Sequence, residues 1–302
     1  MSLKKDFLHA ALHTLKRLEP MLPRAVDSPD WSRHYMARWV SARPHSGHLC
    51  AEPGVPALTL QDLLGIDAQK RAVESNIRQF LAGLPANDML LWGPRGTGKS
   101  SLIRALVGSF HTQNLRAVEV DRLDLEQLPE IADAIGDQRH RFLIFCDDLT
   151  FEAQDSAYKA LKSILDGGLY RRPQNLLICA TSNRRHLLPE YANDNLGTEV
   201  SGTELHYAEG IEEKISLSDR FGLWLPFHPF DQVTYLRIVA HWLEHLGYPG
   251  DIANEASYRA EALRYALARG GRSGRAAWHF ARQFAGAAQL EAAAIQSEAD
   301  PT

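Results

Sequence analysis

Apolar residues in the first part of the chain recur at helical spacing. Leu3, Phe7, Leu8, Leu12, Leu15 and Leu18 lie near a 3.6-residue period. They predict an amphipathic helix. The opening "MSLKKDFLHAALHTLKRLEP" has two lysines, but His9 and His13 interrupt its apolar run, which argues against a signal peptide. A second short helix is expected to carry Trp31, Tyr35 and Trp39. Residues 41–58, "SARPHSGHLCAEPGVPAL", are rich in Pro, Gly and Ser and read as a linker. The expected first unit, 1–56, is therefore a helical extension plus linker.

From residue 59 the period changes. A turn of helix precedes a longer helix from about Asp67 to Leu81. Then short apolar runs alternate with amphipathic ones. "DMLLWG", "LRAVEVD", "RFLIFCDDL", "NLLICATSN" and "GLWLPFHPF" read as strands, with "GKSSLIRALVGSF", "DLEQLPEIADAIG" and "EAQDSAYKALKSILDGG" as helices. Strands alternating with helices imply a parallel sheet covered on both faces. This unit is expected over 57–229. After Phe230 only helical patterns remain, which predicts a separate all-helical lobe over 230–295. The last residues, "IQSEADPT" (296–302 as a unit, from Gln296), read as a frayed tail.

Composition changes this picture little. The chain has 302 residues, 45% of them hydrophobic and 23% charged, as expected of a globular protein. No apolar stretch approaches the roughly 18 residues of a membrane span. Three cysteines, Cys50, Cys146 and Cys179, make neither a disulfide framework nor a metal spacing, which points to a reducing cytosol. Cys146 and Cys179 lie in apolar runs, where a thiol serves as a small hydrophobe. The 13 histidines show no ligand spacing. The formal net charge of −4 argues against a broad basic surface for nucleic acid, though not against a local groove.

Chemistry enters at "GPRGTGKS", Gly93 to Ser100, which matches G-x-x-x-x-G-K-[ST] between a strand and a helix. Gly93, Gly96 and Gly98 let the backbone take positive φ and approach a ligand. The amides of the loop, with Pro94, Arg95 and Thr97 between the glycines, then face an anion. The helix N-terminus, running on through Ser101, adds about half a positive charge. Lys99 is expected on the β and γ phosphates of ATP, and the Ser100 hydroxyl on Mg2+. Asp147 and Asp148 end an apolar strand, where ligands of open parallel sheets bind. Asp147 is the candidate second magnesium ligand. Asp148 is the candidate to orient the attacking water, within the reach of a short side chain.

The order of phosphate loop, "FLIFCDDL", "LLICATSN", "SLSDRFG" and a helical lobe with "GRSGR" resembles the AAA+ P-loop ATPase superfamily over roughly residues 59–290. "TLQDLLGIDAQKRAVESNIRQFLAGLP" with "SLSDRFGLWLPFHPF" more closely resembles a bacterial group of AAA+ ATPases of unknown function. The resemblance implies an α/β fold with a five-stranded parallel sheet in the order 5-1-4-3-2, a C-terminal all-helical lid and an N-terminal helical extension. It implies sensor 1 at Asn183 and an arginine finger, offered to a neighbouring subunit, at Arg220. Arg275 matches sensor 2, with Arg272 as the alternative. Ile66 matches the stretch that packs on adenine. Arg220 could instead pair with Asp219 or Glu213.

Arg171, Arg172, Arg184 and Arg185 are open between a neighbour's nucleotide, a polyanion and solvated turns. Residues 189–213 form a long acidic loop, either disordered or ordered by a partner. The expected activity is hydrolysis of ATP to drive remodelling of an unknown protein or nucleic-acid client, in a homo-oligomer formed with ATP. The alternatives are an ATP-dependent switch or scaffold with little turnover, and a DNA-associated loader or remodeller.

Overall fold

The apolar runs are strands, and their alternate residues serve opposite faces of one sheet. The computed structural model describes residues 28–42, 46–151, 155–166, 172–184, 217–254 and 256–299. Seven strands are β1 (Met36–Ala42), β2 (Ser46–Glu52), β3 (Met89–Trp92), β4 (Leu115–Glu119), β5 (Arg141–Cys146), β6 (Leu176–Ser182) and β7 (Leu223–Pro226). They lie in the order β2-β1-β4-β5-β6-β3-β7. Neighbours are parallel except the β1/β2 hairpin, which is antiparallel.

The described helices are α1 (Asp67–Leu81), α2 (Lys99–Phe110), α3 (Leu128–Gly136), α4 (Ser156–Leu165), α5 (Gln232–His245), α6 (Ala256–Ala268) and α7 (Gly274–Ala299). One face of the sheet packs Met89, Leu91, Leu143, Phe145, Leu177 and Cys179 against α1, α2 and the C-terminal helices. The other packs Leu90, Phe142, Ile144, Cys146 and Ile178 against α3 and α4. The period of two within each strand fills both layers. Asp155 and Asp231 cap α4 and α5, accepting from the Ala157 amide at 3.0 Å and the Thr234 amide at 2.7 Å. Both cysteines of the central strands are fully buried; burial pushes the Cys146 thiol up to about 12 and the Cys179 thiol well above its usual value, so they stay uncharged.

Three expectations are corrected. The whole sheet is seven-stranded and mixed, not a five-stranded sheet in the order 5-1-4-3-2: a hairpin, β1 and β2, is added beside β4, at the edge of the five expected strands, which run β7-β3-β6-β5-β4. The helix expected through Trp31, Tyr35 and Trp39, and the linker after it, are a turn, β1 and β2. The spacing of four in these aromatics imitates a helix. What decides the matter is burial at Ala37 and Trp39, two apart, on the α3 side of the sheet. There the Trp39 indole donates to Gln127 Oε1 at 2.8 Å, and Gln127 Nε2 donates to Ser41 Oγ at 2.8 Å. Buried Arg116 of β4 donates to the Trp31 carbonyl at 2.7 Å and so ties the preceding turn to the sheet. Third, α7 runs to Ala299, into the stretch expected to fray. The N-terminal helix through Leu3 to Leu18, the loop 189–213, Arg171 and Arg185 lie outside the described residues.

Candidate functional site

Residues 93–98 join β3 to α2 at the carboxyl edge of the sheet. Gly93 has φ +140° and packs so closely that a Cβ there would lie 2.0 Å from the Phe227 carbonyl oxygen. Gly96 has φ +76°, and its Cβ would lie 3.0 Å from the Ser273 side chain. At Gly93 no other residue type fits the space, and at Gly96 the positive φ favours glycine and leaves any Cβ a tight contact. The loop then turns directly into α2, whose first amides, on Lys99, Ser100 and Ser101, have no carbonyl within the helix to bond. Together they form a backbone concavity with donors and a positive helix end.

Lys99 is only 6% exposed. Its ammonium donates to the carbonyls of Gly93 at 2.6 Å and Pro94 at 3.0 Å, and to Asn183 Oδ1 at 3.3 Å. Burial lowers its pKa; Asp147 and Asp148 pull it back up, while Arg95 and Arg275 add to the lowering. The Thr97 hydroxyl closes the loop by donating to the Pro94 carbonyl at 2.8 Å.

Ser100 Oγ donates to Asp147 Oδ1 at 2.7 Å, which joins the start of α2 to the end of β5. Thr181 Oγ1 donates to the same oxygen at 2.6 Å and accepts the Asp148 amide at 2.9 Å. Asp148 takes φ +53°, the left-handed region that a non-glycine residue seldom adopts. Asp148 Oδ1 accepts from Asn183 Nδ2, and Oδ2 accepts from Arg95 Nη2 at 2.9 Å.

Beside the loop lies a cavity of about 600 Å³. Its walls include Ile66, Gly96–Ser101, Asp147 and Arg275, with Trp242, His245 and Trp278 from α5 and α7. Buried Ile66 touches the loop, its Cδ1 lying 3.4 Å from where Gly98 would carry a Cβ. The C-terminal helices rest on the loop: the Gly274 amide donates to the Gly96 carbonyl at 2.8 Å. Of the two sensor 2 alternatives, Arg275 bounds the cavity, whereas Arg272 Nε donates to the Phe230 carbonyl at 3.2 Å.

The structure thus brings Ile66, the loop residues, Lys99, Ser100, Ser101, Asp147, Asp148, Asn183 and Arg275 to one place. Arg220 stands apart. It is paired with Asp166 at the end of α4, and neither residue bounds the cavity. Arg172 pairs with Asp88 at 2.6 Å, so the solvated turn expected there is an ion pair. Thr181 is the residue that sequence reasoning missed. Its signal is a pair of hydroxyls, Thr181 and Ser182, ending an otherwise apolar buried strand, where each needs a partner.

The residues fit a magnesium–nucleotide group. Gly93, Gly96 and Gly98 all take positive φ, which turns the loop tightly enough for its backbone amides to line the cradle for a phosphate. Among the described residues no group of three or more His, Cys, Asp or Glu could hold a metal. A single hydroxyl–carboxylate pair, Ser100 and Asp147, suits magnesium, which keeps waters and shares phosphate oxygens. Among the described residues no helix is long and apolar enough to cross a membrane.

A family model with the description "Protein of unknown function (DUF815)" matches residues 32–288. A curated relative, the chaperone protein ClpB of Mycobacterium leprae (strain TN), is 24% identical over 267 residues, covering 80% of this chain. The chain spans only 31% of that relative's length. Similar solved structures include two variant forms of RuvB from Thermotoga maritima. One gives a TM-score of 0.47 and 15% identity over 74% of this chain and 63% of that one. The other gives a TM-score of 0.48 and 15% identity over 76% of this chain and 65% of that one.

Proposed function

The chain belongs to the family described as Protein of unknown function (DUF815), with an AAA+-like P-loop fold, and on that premise we propose that it is a magnesium-dependent ATPase. The observation that carries this reading is the joining of loop and acidic strand end: Ser100 and Asp147 share a hydrogen bond at 2.7 Å beside buried Lys99. The nucleotide-binding unit is taken as 57–229 and its lid as 230–295.

Each residue has a role in this reading. The amides of residues 93–101 bind the phosphate chain, and Ile66 packs beside the base. Lys99 exchanges its loop carbonyls for phosphate oxygens and neutralises their charge. Ser100 and Asp147 hold magnesium, which when bound supplies further positive charge on the phosphates. Asp148 and Asn183 orient the attacking water. Arg275 brings the lid onto the phosphates. Arg220 leaves Asp166 to complete the site of a neighbouring copy, and turnover drives remodelling of a macromolecular client.

An arginine supplied in trans is worth about 10³- to 10⁵-fold in rate in other P-loop enzymes. Specific activity at saturating ATP therefore rises with protein concentration, and Arg220→Ala abolishes the rise. Activity that is flat across dilution and indifferent to Arg220→Ala would remove the trans mechanism. The second reading, an ATP-dependent switch with little turnover, is favoured by one observation: both Asp148 oxygens are engaged, by Asn183 and Arg95. Tight nucleotide binding without steady-state phosphate release selects it.

A further inference from the structure

Arg95 carries a long cationic side chain from the phosphate loop across the site to the acidic strand end. Its guanidinium meets Asp148 Oδ2 at 2.9 Å, while Asn183 takes Oδ1. Asp147 is engaged elsewhere through Oδ1, which accepts from Ser100 and Thr181, and the Arg95 ion pair is with Asp148. The carboxylate assigned to the water is therefore charge-compensated by a residue that belongs to the phosphate cradle itself. Each Asp148 oxygen keeps a second lone pair, but a guanidinium partner offsets the negative charge that draws a water to a carboxylate.

The pair is easily exchanged. The Arg95 side chain is 73% exposed and that of Asp148 46%, so water screens their attraction. A terminal phosphate offers more charge and more acceptor oxygens than a carboxylate, and guanidinium favours it. A diphosphate brings no such group to the far end of the loop. One guanidinium thus has two alternative anions, and only one nucleotide state provides the second.

We infer that Arg95 is a latch on Asp148 that a terminal phosphate opens. With a diphosphate in the loop, Arg95 stays on Asp148. With a triphosphate, Arg95 moves to the terminal phosphate and leaves Asp148 Oδ2 for water. The inference rests on the reading of the loop as a nucleotide site. Arg95 is a positioning residue here, acting on the water through Asp148.

Calorimetric titration tests it, with Mg–ADP and the magnesium complex of a β,γ-imido ATP analogue as probes. The proteins are the full-length wild type, Asp148→Asn, Arg95→Ala and the double variant. Asp148→Asn no longer holds the guanidinium, so it binds the triphosphate up to about fivefold tighter, the worth of an exposed ion pair. Its affinity for Mg–ADP is unchanged, which also shows that the site is intact. In the Arg95→Ala background the same Asp148→Asn change brings no tightening. Arg95→Lys, which keeps the charge without the planar fork, brings a partial one and covers failure of Arg95→Ala to fold.

Tightening that persists without Arg95 would be plain relief of charge repulsion and would overturn the latch. So would equal shifts for both nucleotides, or none in Asp148→Asn, when the wild type binds both. A wild type that binds neither nucleotide would instead overturn the site reading and the latch together.

Discussion

At the residue scale the site is a set of short connections between positions far apart in sequence. Thr181 shows the point best. One hydroxyl holds the Asp147 carboxylate by donating and the Asp148 backbone amide by accepting, and so ties both residues of the acidic strand end to β6. Thr181→Val keeps the shape and removes both bonds, leaving the Asp148 amide without its partner. The bond is only part-buried, so its loss is expected to cost about 1 kcal/mol, the low end for an unsatisfied group. Urea denaturation is expected to show that loss, and an unchanged midpoint and slope would deny Thr181 this role. The loop glycines were legible from sequence because their constraint is local: φ above zero and a ligand-ready turn lie within eight residues, Gly93 to Ser100. Thr181 was not legible, because its two partners are 34 and 33 positions away. Arg95 was legible as part of the loop, but not as the partner of Asp148, for the same reason.

At the element scale the central strands and most helices followed from period alone. Helix α1 begins and ends where the apolar spacing placed it, Asp67 to Leu81. The β1/β2 hairpin did not follow. Trp31, Tyr35 and Trp39 are spaced like a helical face, and Pro and Gly after them look like a linker. Tertiary packing overrides both signals, because the edge of β4 offers a register to β1, Met36 opposite Ala117. Trp31 meets Phe142 edge to face at a centroid distance of 4.9 Å, and Trp39 is 5% exposed beneath α3. The hairpin is thus part of the main core. Trp39→Ala is expected to destabilise the protein by about 3–5 kcal/mol, the range for truncating a buried large aromatic. Thermal or urea unfolding measures it. A change below about 1 kcal/mol would mean that the hairpin folds as an independent appendage.

At the scale of the whole molecule, loop, acidic strand end and helical lid meet around one cavity. The lid is tied down at two places. The Gly274 amide bonds the Gly96 carbonyl at 2.8 Å, and His241 of α5 meets Asp62, ahead of α1, at 3.0 Å. Asp62 is fixed from its other side by Thr59, whose amide and hydroxyl donate at 2.8 and 2.7 Å. Burial would raise the Asp62 pKa, but these bonds and the one from His241 hold it below its usual value. The C-terminal helices therefore rest on the same loop that is read as the phosphate cradle, so a nucleotide in the cavity would meet the loop, Asp147 and those helices together. That arrangement makes nucleotide binding the most direct test. Calorimetric titration of Mg–ATP into the wild type is expected to give a saturable heat at one site per chain. Lys99→Ala is expected to lose that heat while melting as a folded protein. No heat with folded wild type, or the same heat in Lys99→Ala, would contradict the account.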